Sequence, residues 1–115
     1  MAFSELEIRR CERDIARFMT RRRPPPHIRP ELDLGYRITG QSIELFEIRP
    51  HWDQKSEKLE TPVAKPTFVR TQNVWRIYWM RKDLRWHTYE PNAEARSLEE
   101  CLAVVDRDEY CCFFG

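Results

Sequence analysis

Apolar residues recur early in the chain at the spacing of one helix face. Ile8, Cys11, Ile15, Phe18 and Met19 form that stripe. Ser4 and Glu7 make a capping box ahead of it, and Arg21 to Arg23 sit where the negative end of the helix dipole would fall. The pattern predicts a helix over about residues 5–21. Its solvated side carries Arg9, Arg10, Arg13 and Arg17 among Glu12 and Asp14, with i,i+4 pairs expected from Glu5 to Arg9 and from Arg10 to Asp14. The prolines of Arg-Arg-Arg-Pro-Pro-Pro-His-Ile-Arg-Pro then end the helix, because a residue before proline is pushed out of the α region. An extended, polyproline-like connector over 21–33 follows as the expectation.

Beyond it the period changes from 3.6 to two. Leu34–Thr39 and Ser42–Ile48 read as a hairpin turning at Gly40-Gln41, where glycine in the first loop position suits a type II′ turn. That register pairs Ile38 with Ile43 and Tyr36 with Leu45 on a buried side, and Arg37 with Glu44 on the other. Pro50 marks a strand end, with Glu47, Arg49 and His51 projecting to one side. Residues 53–61 show no internal pattern and are expected to be a mobile polar loop. Ala64–Arg70 resumes as a strand whose first half is irregular because of Pro62 and Pro66, and a turn at Gln72-Asn73 would set Phe68 across from Ile77.

The densest aromatic stretch, Val74 to Tyr89, predicts a second hairpin with its tip at Lys82-Asp83. A loop centred there pairs Trp79 with Trp86, Tyr78 with His87 and Ile77 with Thr88. Trp75, Ile77, Trp79, Leu84 and Trp86 then share a core face, and Arg76, Tyr78, Met80, Arg85, His87 and Tyr89 share the other. Ser97 with Glu100 repeats the capping box before a helix over 97–106, striped by Leu98, Cys101, Leu102 and Val105. The tail over 110–115 is too apolar to leave in water and should dock on the core. The order predicts one α+β domain over residues 1–115. It has an N-terminal helix, an antiparallel five-strand meander over 34–90 and a C-terminal helix, with both helices on one face of the sheet.

Composition narrows the function classes. Net charge is +1, so no global field marks a polyanion binder, yet 16 of the 20 basic residues are Arg, the cation that forks onto carboxylate or phosphate and stacks on rings. No apolar run approaches the ~20 residues of a membrane span, and the chain begins polar and helical, so a cytoplasmic protein with no membrane association is expected. Cys11, Cys101, Cys111 and Cys112 show neither a disulfide framework nor a CxxC spacing. Reduced thiols, no metal and no cofactor are the expectation.

Arg49-Pro50-His51-Trp52, the Trp75–Tyr89 block and the closing Phe113-Phe114-Gly115 also carry a resemblance. From Ile8 to Gly115 the sequence resembles a bacterial family, domain of unknown function 3024, in which a Phe-Trp-Gly ending is more frequent and from which Cys111-Cys112 is a local departure. The resemblance implies a bacterial, single-domain, cytoplasmic protein and carries over no catalytic residue.

Three functions compete. Tyr78, His87 and Tyr89 can stack bases while Arg76, Arg85 and Lys65 meet phosphates, the chemistry of a single-stranded nucleic-acid reader, although the neutral net charge weighs against it. Glu47, His51, Asp83 and His87, with Arg49 or Arg81 as electrophile, are the titratable set available to an enzyme, but they form no recognisable triad. The preferred reading is a non-enzymatic protein-interaction or structural module. Its candidate binding residues are Arg49, His51, Arg76, Tyr78, Arg85, His87 and Tyr89, and its partner is another protein or a second copy met through the open sheet face or an edge strand.

Overall fold

The computed structural model describes residues 2–114. Helix α1 spans Glu5–Arg22, and both halves of its capping box are made: the Ser4 hydroxyl accepts from the Glu7 amide at 3.2 Å and the Glu7 carboxylate accepts from the Ser4 amide at 2.9 Å. Its buried residues are Cys11, Ile15 and Phe18. The expected i,i+4 pairs are not made. Asp14 lies instead 3.5 Å from the neighbouring Arg13, and Glu7 takes a two-pronged bond from Arg70 at 3.0 and 3.1 Å.

The connector is folded into successive turns, which corrects the extended expectation. The Pro25 carbonyl accepts from the Ile28 amide at 2.9 Å, and the Ile28 carbonyl accepts from Glu31 at 2.9 Å and Leu32 at 3.0 Å. Proline's fixed φ suits the first central position of a turn as well as it suits an extended run, and Pro26 takes that position. Arg23 closes the segment by forking onto Asp33 at 2.8 and 2.9 Å.

Strands β1 (Asp33–Thr39) and β2 (Ser42–Pro50) pair as expected, Ile38 with Ile43, Arg37 with Glu44 and Tyr36 with Leu45. Gly40 has φ +60° while Gln41 does not enter the left-handed region, as a type II′ turn requires. Leu34, Ile43 and Leu45 join the core, but Tyr36 remains 37% exposed at the sheet's margin. On the other face Phe46 lies across Gly35.

The three later strands each break once, so five expected strands appear as eight segments in the expected meander order. The third becomes β3 (Lys58–Ala64) and β4 (Thr67–Val69), interrupted at Lys65-Pro66. Residues 58–61 therefore belong to a strand paired with β2, not to the predicted loop; all of them are exposed, so no buried face imposed an alternation that the sequence could display. The fourth becomes β5 (Val74–Arg76) and β6 (Tyr78–Met80), hinged at the fully buried Ile77. The fifth becomes β7 (Trp86–Thr88) and, past the expected end of the sheet at residue 90, β8 (Glu94–Ala95), separated by a 3-10 turn over Glu90–Asn92 that carries Pro91. β1, β2, β3, β4, β5 and β8 form one antiparallel sheet, and β6 and β7 a second. The β4–β5 register sets Phe68 against Trp75, two residues from the expected Ile77, because the turn holds Arg70 to Asn73 with Asn73 at φ 52°. A two-residue slip keeps Phe68 on its intended face.

Helix α2 spans Leu98–Arg107. Ser97 caps the Glu100 amide at 3.1 Å, while the Glu100 carboxylate reaches one residue past the cap, to the Arg96 amide at 2.9 Å. Leu98, Cys101, Leu102, Val104 and Val105 bury its inner face. Burial pushes the Cys101 thiol up to about 12 and the Cys11 thiol to about 11, so both sulfurs behave as core groups. Of the tail, Cys112 to Phe114 dock as expected, whereas Tyr110 stays 60% exposed, Cys111 is exposed as well, and Gly115 lies outside the described residues. Asp108 ends α2 at φ 42°, and its carboxylate accepts from the Phe113 and Phe114 amides at 2.9 Å each. The Phe113 ring is buried 4.7 Å from Tyr89, and the Arg22 guanidinium lies 3.9 Å over Phe114.

Candidate functional site

The predicted site residues fall on two hairpins, except Arg76 on β5 and Tyr89 just past β7. In the β6–β7 hairpin the pairs are Tyr78 with Thr88, Trp79 with His87 and Met80 with Trp86. Trp79 and Trp86 are thus not cross-strand neighbours, which corrects the expected register by one residue. The cause is the loop. Leu84 donates to the Arg81 carbonyl at 2.9 Å and sits at φ 61°, and Arg81 donates to the Arg85 carbonyl at 3.2 Å. This is a type I turn followed by a left-handed residue, a three-residue loop, with leucine where glycine is usual.

One residue of slip exchanges faces. Trp79 and His87 lie on one side of the ribbon, and Tyr78, Met80, Trp86 and Thr88 on the other. Tyr89 is core, since its amide donates to the Ile77 carbonyl and its ring packs on Phe113. Arg76 belongs to β5, where it donates to the Gln72 side chain at 3.1 Å and lies 3.9 Å from Glu94. The single aromatic and cationic face expected from sequence is therefore not assembled: Tyr78 and His87 face apart, Tyr89 is buried and Arg76 is turned toward Gln72.

A different constellation forms on the His87 side. His87 Nε2 meets Asp83 Oδ2 at 2.7 Å, and Asp83 Oδ1 accepts from the Arg85 amide at 3.0 Å. The hydrogen bond to His87, helped by the Arg85 amide, holds the Asp83 carboxyl below its ordinary range. The Arg81 guanidinium lies 5.5 Å from the Trp79 ring centre. Trp79, Arg81 and His87 line an open depression of about 480 Å³ together with Cys112. Burial pushes the Cys112 thiol up, away from the thiolate that a nucleophile needs. On the opposite side Lys65 lies 5.8 Å from the Trp86 ring centre.

The β2–β3 hairpin carries the rest. His51 donates its amide to the Glu57 carbonyl at 2.9 Å, and Glu57 donates to Gln54 at 2.9 Å, closing the turn. The His51 ring reaches back over it, with Nδ1 accepting from the amides of Asp53 at 3.1 Å and Gln54 at 3.0 Å. Two donors on Nδ1 fix the tautomer with its proton on Nε2. The indole of Trp52 stacks beside this ring at 5.4 Å and is 81% exposed. Arg49 is exposed, 3.8 Å from Glu47. The titratable set proposed for catalysis is therefore divided, with Glu47, Arg49 and His51 on one hairpin and Arg81, Asp83 and His87 on the other. Trp52 was missed as a binding residue because its neighbours show no strand alternation. Among the described residues no three His, Cys, Asp or Glu side chains gather as a metal site requires, and no helix is long and apolar enough to cross a membrane.

The family model described as Domain of unknown function (DUF3024) matches residues 3–115 of the chain. No curated protein and no solved structure matches it.

Proposed function

Because the chain belongs to the DUF3024 family, whose description names no activity, we propose a function from geometry alone: a protein-interaction module that presents the tip of the β2–β3 hairpin to another protein. Trp52 carries the proposal. An indole with 81% of its surface in water is costly to keep unless it is covered in use, and Trp is the residue most enriched among the anchors of protein interfaces. It is also preorganised. The two bonds that His51 accepts from the Asp53 and Gln54 amides fix the turn before binding, so little conformational entropy remains to be lost on docking. Lys55, Lys58, Asp53 and Glu57 surround the tip with both signs of charge, the polar rim of a partner's apolar pocket.

The test is photo-crosslinking in cells that express the chain, with a benzophenone side chain at position 52 and, as control, at the exposed helical position of Arg9. A discrete adduct at position 52, absent at position 9 and competed away by added wild-type chain but not by a Trp52→Ala chain, is the expected result. Indistinguishable patterns at the two positions would sink the proposal. An adduct at twice the 14.0 kDa chain mass would overturn a foreign partner in favour of self-association.

A further inference from the structure

A second site lies where α1, the β4–β5 turn and the start of α2 meet. A cavity of about 280 Å³ opens there, and Phe68, Trp75, Arg10, Arg13 and Arg96 are among the residues that line it. We propose that it binds a nucleoside monophosphate.

Charge comes first. Glu7 and Asp14 also line the cavity; Glu7 is held by the fork of Arg70, and Asp14 has Arg13 as its ion-pair partner at 3.5 Å, although its buried Oδ1 accepts no hydrogen bond among the described residues. Arg10 and Arg96 have no carboxylate partner among the described residues, so two guanidinium groups remain uncompensated at the mouth. Unpaired arginines converging on one cavity call for an anion, and a phosphate monoester, with two charges and three terminal oxygens, can occupy more than one fork where a carboxylate fills a single one.

The walls specify the remainder of the ligand. Trp75 is buried under Phe3, whose ring stacks on it at 5.8 Å, so the half-buried Phe68, tilted 45° to Trp75 at 5.4 Å, is the aromatic wall left beside the arginines. A planar heterocycle stacks on such a surface. Asn73 supplies an edge. Its backbone stands at φ 52°, its amide N–H is used by the Arg70 carbonyl at 3.3 Å, and its side-chain amide has no partner among the described residues. A carboxamide offers one donor and one acceptor side by side, the pair that matches N6 and N7 of adenine. The volume sets the size. It falls at the lower edge of the ~300–1,000 Å³ of ligand pockets, room for one nucleotide and not for a dinucleotide.

Calorimetric titration of the whole chain at low salt with AMP, GMP, CMP, UMP, adenosine and inorganic phosphate tests this. AMP should bind tightest, by roughly tenfold over adenosine and over phosphate, since each lacks half of the contacts. Arg10→Gln and Arg96→Gln should each weaken AMP about fivefold or more at unchanged melting temperature, as expected for exposed side chains that lose a charge-assisted bond. Asn73→Gly, which keeps the left-handed backbone, should erase the preference for AMP over CMP. The proposal fails if no nucleotide titrates saturably at millimolar concentration, if phosphate alone binds as well as AMP, or if the Arg10→Gln/Arg96→Gln double variant binds like the parent.

Discussion

Glu7 and Asp33 each accept two hydrogen bonds from one guanidinium and a third from a backbone amide, Ser4 in the first case and Leu34 in the second. The hydrogen bonds from the guanidinium lead in holding both carboxyls at about 2. A carboxyl whose folded value lies below its unfolded value stabilises the fold above the unfolded value, and that contribution is lost as pH falls through the folded one. Stability should therefore decline between about pH 4 and pH 2. Arg70→Gln and Arg23→Gln should flatten that decline in denaturant midpoints taken across the window, and slopes that match the parent would show the two carboxylates to be unshifted. Gly35 makes a steric point at the same scale. A Cβ on it would come 2.8 Å from the Phe46 ring and 3.1 Å from Ile48. Phe46 is pinned in turn by the Arg37 guanidinium 4.4 Å over its ring. Gly35→Ala should cost about 1–3 kcal/mol in urea melts, as overpacking does where neighbours cannot yield. No loss would mean that the ring swings aside freely.

At the level of elements, the first hairpin was legible because Gly40 sits where a two-residue turn needs positive φ, and the Ile38, Ile43 and Leu45 pattern admits one register. The second hairpin misled because the left-handed position belongs to Leu84. A β-forming apolar residue there looks like strand, so the loop was read one residue short and every side chain on one strand changed face. Leu84 is 81% exposed and gains no packing in return for its conformation. Leu84→Gly should raise stability by about 1 kcal/mol, since glycine adopts that region without a Cβ penalty. A thermal melt that moves down would show that the leucine side chain stabilises the hairpin through contacts made outside its own turn. The exposed first half of β3, residues 58–61, and the folded connector escape for a related reason. Neither buries a face, so neither writes a period into the sequence, whereas the stripes of α1 and α2, buried on one side, locate both helices to within a residue or two.

Across the whole molecule, sequence gave the right layers but not the sites, because a site joins residues that are distant in the chain. Arg10, Arg96 and Phe68 come to line one cavity only through the packing of both helices on the sheet, and nothing local marks either arginine. The same packing makes the tail a structural member. Arg21 and Arg22 of α1 reach Asp106 of α2 at 3.4 and 3.7 Å, Arg22 also covers Phe114, and Phe113 closes the core against Tyr89. Asp108 governs this closure, since its carboxylate holds the Phe113 and Phe114 amides together. Phe113→Ala should cost about 3–5 kcal/mol, the range for a large aromatic removed from a core. Asp108→Gly keeps the left-handed backbone that ends α2 but removes both acceptors, and should cost about 2 kcal/mol, as for hydrogen bonds to a charged group. Once either change has released the tail, the other has less to remove. The double variant in a urea-melt cycle should therefore lose at least about 0.5 kcal/mol less than the sum of the single losses, the coupling of residues that act as one unit. Full additivity would mean that Phe113 stays seated on Tyr89 without the Asp108 carboxylate, and that the tail is held by its rings alone.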